Sequence, residues 1–424
     1  MDFNTTILRF GLDSSNFVNK PISQVRFEGG IIYEVEEEYK PRTCPHCFKG
    51  VMHVHTHKYA TFKLTTTIGL KEELRVRRIR YKCPYCHKTH TFDLEGIERN
   101  QTISKFSKGA IQNEFFEIQS FTTIASRYNV SLNTVINIFD EYTKVMPRGR
   151  MPEYLCIDEK HFEGDTDGKY CVILSDFFTG KVIDVLPNRQ MAYLDEYFSK
   201  IPIKERENTK VFISDMYDGY SSIQKKYFSK SLFVVDLFHV IKLLTEAVKK
   251  IRIRTYNQIA LEDTIERHFM KHNWKVFLCD QYKICKNTYH SEKYNETLSY
   301  GEIIFRCIKT NYAFWDGYNI LQELLHYDLY ETYSEAERFL NRIIAKLNSS
   351  GDELLGKVAI SYQKWKVGII NGLAKNQSGR RFSNAIAENN NSHIQRVINV
   401  AYGYRNFERF RRRIMLILAY KNQR

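Results

Sequence analysis

The chain is expected to be an α/β protein built on a mixed sheet flanked by helices, and three observations predict it. Five short β-rich runs, "YLCIDEKHF", "KYCVILSDFF", "KVIDVLP", "KVFISDMY" and "SLFVVDLF", follow one another between Tyr154 and Phe238. The first three lie close together, as the strands of an antiparallel meander do. Helical segments, "MAYLDEYFSKI" and "YSSIQKKYF", precede the fourth and fifth. Strands joined through helices run parallel, so the meander should continue into parallel strands with helices covering the sheet.

Ahead of that sheet, Cys44 to Phe92 reads as a small β-domain held by two knuckles, "CPHC" (Cys44, Cys47) and "CPYC" (Cys83, Cys86). Zinc takes four soft ligands in a tetrahedron, and each Cys-x-x-Cys supplies two from one tight turn. The proline in each knuckle pre-sets that turn. Four thiolates close the site, so one structural zinc is expected and a catalytic one is not. Between the knuckles, "HVHTH" sets His53, His55 and His57 on one face of an extended strand. A solvated or packed strand face is the expected role for them, ahead of metal or phosphate binding. The basic run Leu74 to Lys82, "LRVRRIRYK", is expected to face DNA phosphates, with a solvated face almost as good an account.

"SFTTIASRYNVSLNTVINIFDEY" (Ser120 to Tyr142) predicts a helix-turn-helix. Ile124, Ala125 and Tyr128 give the first helix its apolar spacing, Asn129 and Val130 form the turn, and Ser131 caps the second helix. Val135, Ile138 and Phe139 then face the core. Asn133, Thr134 and Asn137 are left for base edges. Two packed helices without a DNA contact would look the same by themselves; the knuckles and the charge favour DNA.

Three acids carry the candidate chemistry. Asp158 follows apolar residues in a strand, and Asp215 ends an equally apolar one; a buried carboxylate is costly unless its charge is matched, often by a metal. Magnesium prefers such oxygens, and two ions need bridging and flanking acids. Glu388, in "SNAIAENNNSHIQ", is the candidate third, on a polar shoulder of a helix whose apolar stripe is Ala387, Ile394, Val397, Ile398 and Ala401. Each has an ordinary alternative as a turn, cap or helix-dipole residue. Glu159 and Asp218 are local rivals.

The whole chain bounds these readings. Its 424 residues predict several domains. They divide as a knuckle-bearing segment (1–100), a helix-turn-helix domain (101–150), the first part of a sheet domain (151–241), a helical insertion (242–373), and a final helix with a basic tail (374–424). Lys plus Arg outnumber Asp plus Glu by 63 to 49, a formal charge of +14, which favours polyanionic partners and nucleic acid first. From Asn371 onward, 11 basic residues meet only 2 acids. No signal peptide is visible, no run reaches the roughly 18 apolar residues of a membrane span, and nine cysteines with paired knuckles suit a reducing cytoplasm.

In order and wording, the knuckles, the helix-turn-helix, Asp158 in "IDE", Asp215 in "SDMYDGY", Glu388 in "SNAIAENNNSHIQ", "GKYCVILSDFFTGKVIDVLPNR" and the closing "AYGYRNFERFRRRI" resemble the ISL-three family of bacterial insertion-sequence transposases. The resemblance implies a ribonuclease-H-like catalytic domain with an Asp-Asp-Glu triad, interrupted by a helical insertion. Asp158, Asp215 and Glu388 would be that triad, holding two magnesium ions, with manganese as a substitute. Asp236 and His239 in "DLFH" match a supporting Asp-x-x-His motif, for which a plain strand-to-helix turn is an equal reading. The implied partners are double-stranded DNA, both terminal inverted repeats and target, and further copies of the chain, a homodimer or higher, once assembled on DNA. The knuckle domain and helix-turn-helix would recognise the repeats, and Arg405, Arg409, Arg411, Arg412 and Arg413 would grip phosphates. The alternatives are a non-catalytic zinc and helix-turn-helix regulator, or a structure-specific nuclease. "DEKHFEG" and the triple asparagine depart from the expected pattern, which touches substrate positioning rather than the three acids.

Overall fold

The computed structural model describes residues 2–63, 70–97, 101–166, 168–259, 264–376, 379–382, 385–401 and 403–420; the side chains of 385–389, 391, 419 and 420 lie outside the described set. The chain forms two compact units. One is Met1–Pro147 with His393–Arg424; the other is Arg148–Ser392.

In the first unit, strands β1 (Ser23–Phe27), β2 (Gly30–Glu36), β3 (His53–Lys63) and β4 (Lys71–Lys82) lie in the order β1-β2-β4-β3, and the short β5 (Thr89–His90) pairs with β4. Only β2 and β4 run parallel among these pairs. Side chains alternate across a strand, and β4 uses both faces. Leu74 and Val76 join Ile7, Phe10, Tyr33 and Val35 in one core, whereas Ile79 and Tyr81 pack with Met52, Cys44 and Cys83 in another. The parity changes across Arg77 and Arg78, so one long strand serves two cores on opposite faces.

The basic run on β4 is largely neutralised from within. Arg75, Arg77 and Arg78 pair with Glu34, Glu36 and Glu37 from β2 and the residue after it. The expectation that this run faces phosphate overlooked the acidic "EVEEE", which the parallel register lays alongside it. On β3 the histidines are exposed, as expected of a solvated face. The register shifts between Val54 and Thr56, so His55 has no Cα partner on β4 and strict alternation does not carry through "HVHTH".

Three helices, Lys105–Glu114, Phe121–Arg127 and Leu132–Tyr142, are capped by Ser104, Ser120 and Ser131, each accepting a backbone N–H three residues on. Ile111, Phe115, Ile124, Val135 and Phe139 form their core, joined by Leu416. Asn129 turns the chain at φ +52°, a conformation asparagine tolerates. The helix Phe407–Ile414 closes this group.

The second unit carries a five-stranded mixed sheet: β6 (Tyr154–His161), β7 (Tyr170–Asp176), β8 (Val182–Leu186), β9 (Val211–Ser214) and β10 (Leu232–Val235), ordered β10-β9-β6-β7-β8. β6, β7 and β8 are antiparallel neighbours, and β9 and β10 extend the sheet parallel to β6. On one face Leu155, Ile157, Val172, Leu174 and Phe212 pack with Leu194 and Phe198 of the helix Met191–Ser199 and with Tyr220 and Ile223 of the helix Asp218–Tyr227. On the other, Cys156, Ile213 and Val234 meet Phe177 and Phe382.

The edge strand β10 does not lie open. The helix Lys366–Leu373 covers it, and Asn371 Nδ2 donates to the Phe233 carbonyl at 2.8 Å. From Leu237 to Leu373 the described residues are mostly helical with one small hairpin (Thr288–Ser291 and Glu296–Ser299), and their core is continuous with Val235, Leu237 and Val240. No described helix is long and apolar enough to cross a membrane.

Candidate active site and metal centre

The strand ends gather acids. Cys156 on β6 lies opposite Ile213 on β9, where the pairing of these two strands ends; Asp158 follows two residues later in β6, and its charge is close enough to act on Asp215, the residue after β9. Val235 on β10 lies opposite Ser214, so Asp236 comes beside Asp215, and its N–H donates to the Ser214 carbonyl at 2.9 Å. Asp215 and Asp236 thus follow the C-terminal ends of β9 and β10, and Asp158 lies within β6 just past its paired stretch with β9, on the side where an open α/β sheet places its ligand crevice.

Each acid is held differently. Asp158 Oδ1 accepts the Glu159 N–H at 2.8 Å. Asp236 is buried and caps the helix Leu237–Gln258, accepting from the Phe238 N–H at 3.1 Å and meeting His239 Nδ1 at 2.9 Å. Asp215 Oδ1 is buried with no hydrogen-bond partner among the described residues. Burial, then the like charge of Glu159 and Asp158, push the Asp215 carboxyl up to about 6, against the opposing charges of His239 and Arg189. Burial pushes the His239 imidazole down, but Asp236, Asp215 and Asp158 outweigh it and raise its pKa. Electrostatically, an orphaned carboxylate oxygen among like charges is a place that favours a cation.

The two local rivals are each ion-paired. Glu159 takes Arg189 Nη1 on both oxygens and the Tyr220 hydroxyl at 2.9 Å. Asp218 is exposed and paired with Lys364 at 2.6 Å. Glu388 falls within the helix Ala385–Val400, but its side chain lies outside the described residues. Two residues on, Asn390 is buried and donates to the Gly180 carbonyl at 2.8 Å, so one of the three polar asparagines has a packing role. Ile394 and Val397 are buried as the stripe predicts.

A match between part of this chain and a protein-family model is decisive here. The model, for the ISL3 type of DDE transposase and described as "Transposase", covers residues 155–414, more than half of the chain. This chain belongs to the ISL3 transposase family. A search of curated proteins finds no match. The matched span of this ISL3 transposase contains the mixed, ribonuclease-H-like sheet and all the acids above. Family membership implies DNA as its partner in general terms.

In the first unit of the transposase, the Sγ atoms of Cys44, Cys47, Cys83 and Cys86 all lie within 4.8 Å of one another. Cys44 and Cys86 are 3.7 Å apart and Cys47 and Cys83 are 3.6 Å apart. Tetrahedral thiolates at about 2.3 Å from zinc would stand about 3.8 Å from each other, so the cluster suits structural zinc. The Cys86 N–H, with that of Tyr85, lowers the Cys83 thiol to about 6 against the upward push of burial. Among the described residues, no other group of three or more His, Cys, Asp or Glu comes that close; the strand-end acids stand further apart than the cysteines.

On the second helix of the capped pair, Asn133 and Asn137 are exposed and Thr134 is half-buried. Thr134 and Asn137 line a cavity of about 150 Å³ together with Lys105 and Lys108. The arginines of the closing helix are more committed. Arg409 and Arg412 pair with Asp140 at 2.8 and 3.2 Å, and Arg411 donates to the Met146 carbonyl at 3.2 Å. Arg405 is exposed. The expectation that Arg413 grips phosphate is corrected. Its guanidinium is fully buried, donating to the carbonyls of Phe115, Glu117 and Gln119 at 2.6, 2.8 and 3.0 Å beside the rings of Phe115 and Phe121.

Proposed function

We propose that this ISL3 transposase binds the terminal inverted repeats of an insertion sequence and catalyses metal-dependent DNA strand cleavage and strand transfer. The observation that carries the reading is the proximity of Asp158, just past the paired stretch of β6, to Asp215, which follows the adjacent parallel β9, with Asp215 Oδ1 buried and unpartnered among the described residues. Asp158, Asp215 and Glu388 are the residues that would hold magnesium, or manganese in its place. The metal supplies Lewis-acid activation of water and of the leaving oxygen of a phosphodiester. Asp236 and His239 act in support: Asp236 fixes the turn after β10, and His239 offsets part of the negative charge around Asp215.

The same reading assigns Cys44, Cys47, Cys83 and Cys86 to one structural zinc. It makes Phe121–Tyr142 a helix-turn-helix whose Asn133, Thr134 and Asn137 meet base edges. Arg405, which is exposed, with the half-buried Arg409, Arg411 and Arg412, adds phosphate contacts. Two chains would join two DNA ends. The domain division proposed from the sequence goes with this assignment of roles.

The test uses the full chain and a duplex bearing the element's own terminal repeats, with magnesium or manganese. Asp158→Asn, Asp215→Asn and Glu388→Gln are each expected to lower cleavage by 10³-fold or more, on the order expected when a metal-bound group is lost, while repeat binding persists. Retained cleavage by Asp158→Asn would end the triad assignment. Specific repeat binding with no metal-dependent cutting by the wild type would favour a regulator instead.

A further inference from the structure

Arg189 stands at the rim of the acid cluster, just ahead of the helix Met191–Ser199, and is held from several sides. Its Nη1 donates to both oxygens of Glu159, at 3.1 and 2.9 Å. Glu159 is in turn fixed by the Tyr220 hydroxyl. The guanidinium carbon lies 5.3 Å from the centre of the Tyr170 ring and 5.2 Å from that of Tyr217, within cation–π range of both. Nε and Nη2 have no hydrogen-bond partner among the described residues, and the side chain is 44% exposed against 13% for Glu159. One end of the fork is therefore anchored while the other is presented to solvent.

The surroundings say what that fork is for. A DNA backbone approaching Asp158, Asp215 and Asp236 meets like charge, and Arg189 is a cation already close enough to act on Asp215. Arginine's planar donors match two phosphate oxygens, and pre-anchoring removes much of the entropy that a free side chain loses on binding. We propose that Arg189 is a backbone clamp, its Nε and Nη2 gripping the non-bridging oxygens of a phosphate next to the scissile one while Glu159, Tyr170, Tyr217 and Tyr220 hold it in place. This rests on the DNA-cleaving reading above.

Binding, rather than cutting, provides the test. Full-length wild type, Arg189→Gln and Arg189→Lys are titrated with the terminal-repeat duplex without divalent ions, across a series of salt concentrations. Arg189→Gln is expected to bind roughly tenfold more weakly, with a salt slope shallower by about 0.9, one phosphate's share. Arg189→Lys keeps the slope but recovers only part of the affinity, because a point charge replaces a fork. Methylphosphonate replacement of single phosphates should reproduce the loss in the wild type at one position beside the cleavage site. The same replacement should cost Arg189→Gln nothing further.

An unchanged slope in a normally melting Arg189→Gln, or methylphosphonate losses equal in wild type and variant, would overturn the clamp. If Arg189→Gln does not fold, the phosphate scan run on Arg189→Lys decides: the wild type's loss at the marked position must shrink. Cleavage by the wild type in magnesium is scored separately. Its absence sinks the enzyme reading, whereas the variant series judges Arg189.

Discussion

Asp215 shows what one misplaced charge does to a fold. Its carboxyl is raised from an ordinary 3.8 to about 6 by burial and by Glu159 and Asp158. The folded chain therefore holds this proton over a pH range where the unfolded chain has lost it, so the residue's contribution to stability falls as pH rises from about 4 through 6. His239, also raised, acts in the same direction: its stabilising contribution is full below the unfolded histidine value and is lost as pH rises through the folded one. In chelator, Asp215→Asn is expected to be more stable than wild type by about 2–3 kcal/mol at pH 8. That gain should fade to nothing near pH 4, as urea melts at several pH values would show. A variant no firmer than wild type at pH 8 would mean that the carboxylate is not held against its own preference.

Close packing at the level of elements fixes the edge of the five-stranded sheet. The helix Lys366–Leu373 turns Gly368 and Gly372, one helical turn apart, toward β10. A Cβ at Gly372 would stand 2.6 Å from the Val235 carbonyl oxygen, and one at Gly368 would stand 2.8 Å from Val235 Cγ2. The first clash is with backbone held in the sheet, the second with a side chain that can shift. Gly372→Ala is thus expected to cost about 2–3 kcal/mol in urea unfolding and Gly368→Ala clearly less. Equal costs would contradict the difference in what each Cβ meets. The closing helix follows a similar logic: Arg413 exchanges water for three carbonyls and two rings, so its charge works as internal scaffolding.

Over the whole molecule, the largest core runs from β10 into the long helical segment without a break: Val235, Leu237 and Val240 share it with Phe339, Ile343 and Tyr362. The Tyr362 hydroxyl also donates to the Val240 carbonyl at 2.7 Å. Excising residues 242–373 would cut the helix after β10 back to its first turn and expose the face of β10 and of Leu237 and Val240 that now lies in this core, an apolar surface of the kind that drives aggregation. The deletion variant is expected to be insoluble or to lose cooperative melting. A soluble, cooperatively melting deletion protein would show instead that the segment is an add-on. The formal charge of +14 is likewise a property of the sum; Arg75, Arg77, Arg78, Arg409 and Arg412 are each matched inside the first unit.

Local patterns carried the legible part. Strand runs, the cap at Ser131, the knuckle turns and the apolar stripe around Ile394 depend on neighbours within a few residues, and the sequence by itself determined them. It also singled out Asp158 and Asp215, because an acid ending an apolar run is conspicuous wherever it lies. Only the tertiary structure decided which acids are neutralised and which arginines are spent. Glu159 meets Arg189 and Tyr220, Asp140 meets Arg409, and Arg413 meets the carbonyls of Phe115, Glu117 and Gln119. Coulomb energy and hydrogen bonding act through space over a few ångströms, whereas these partners lie tens to hundreds of residues apart along the chain, so no periodicity in the sequence records them.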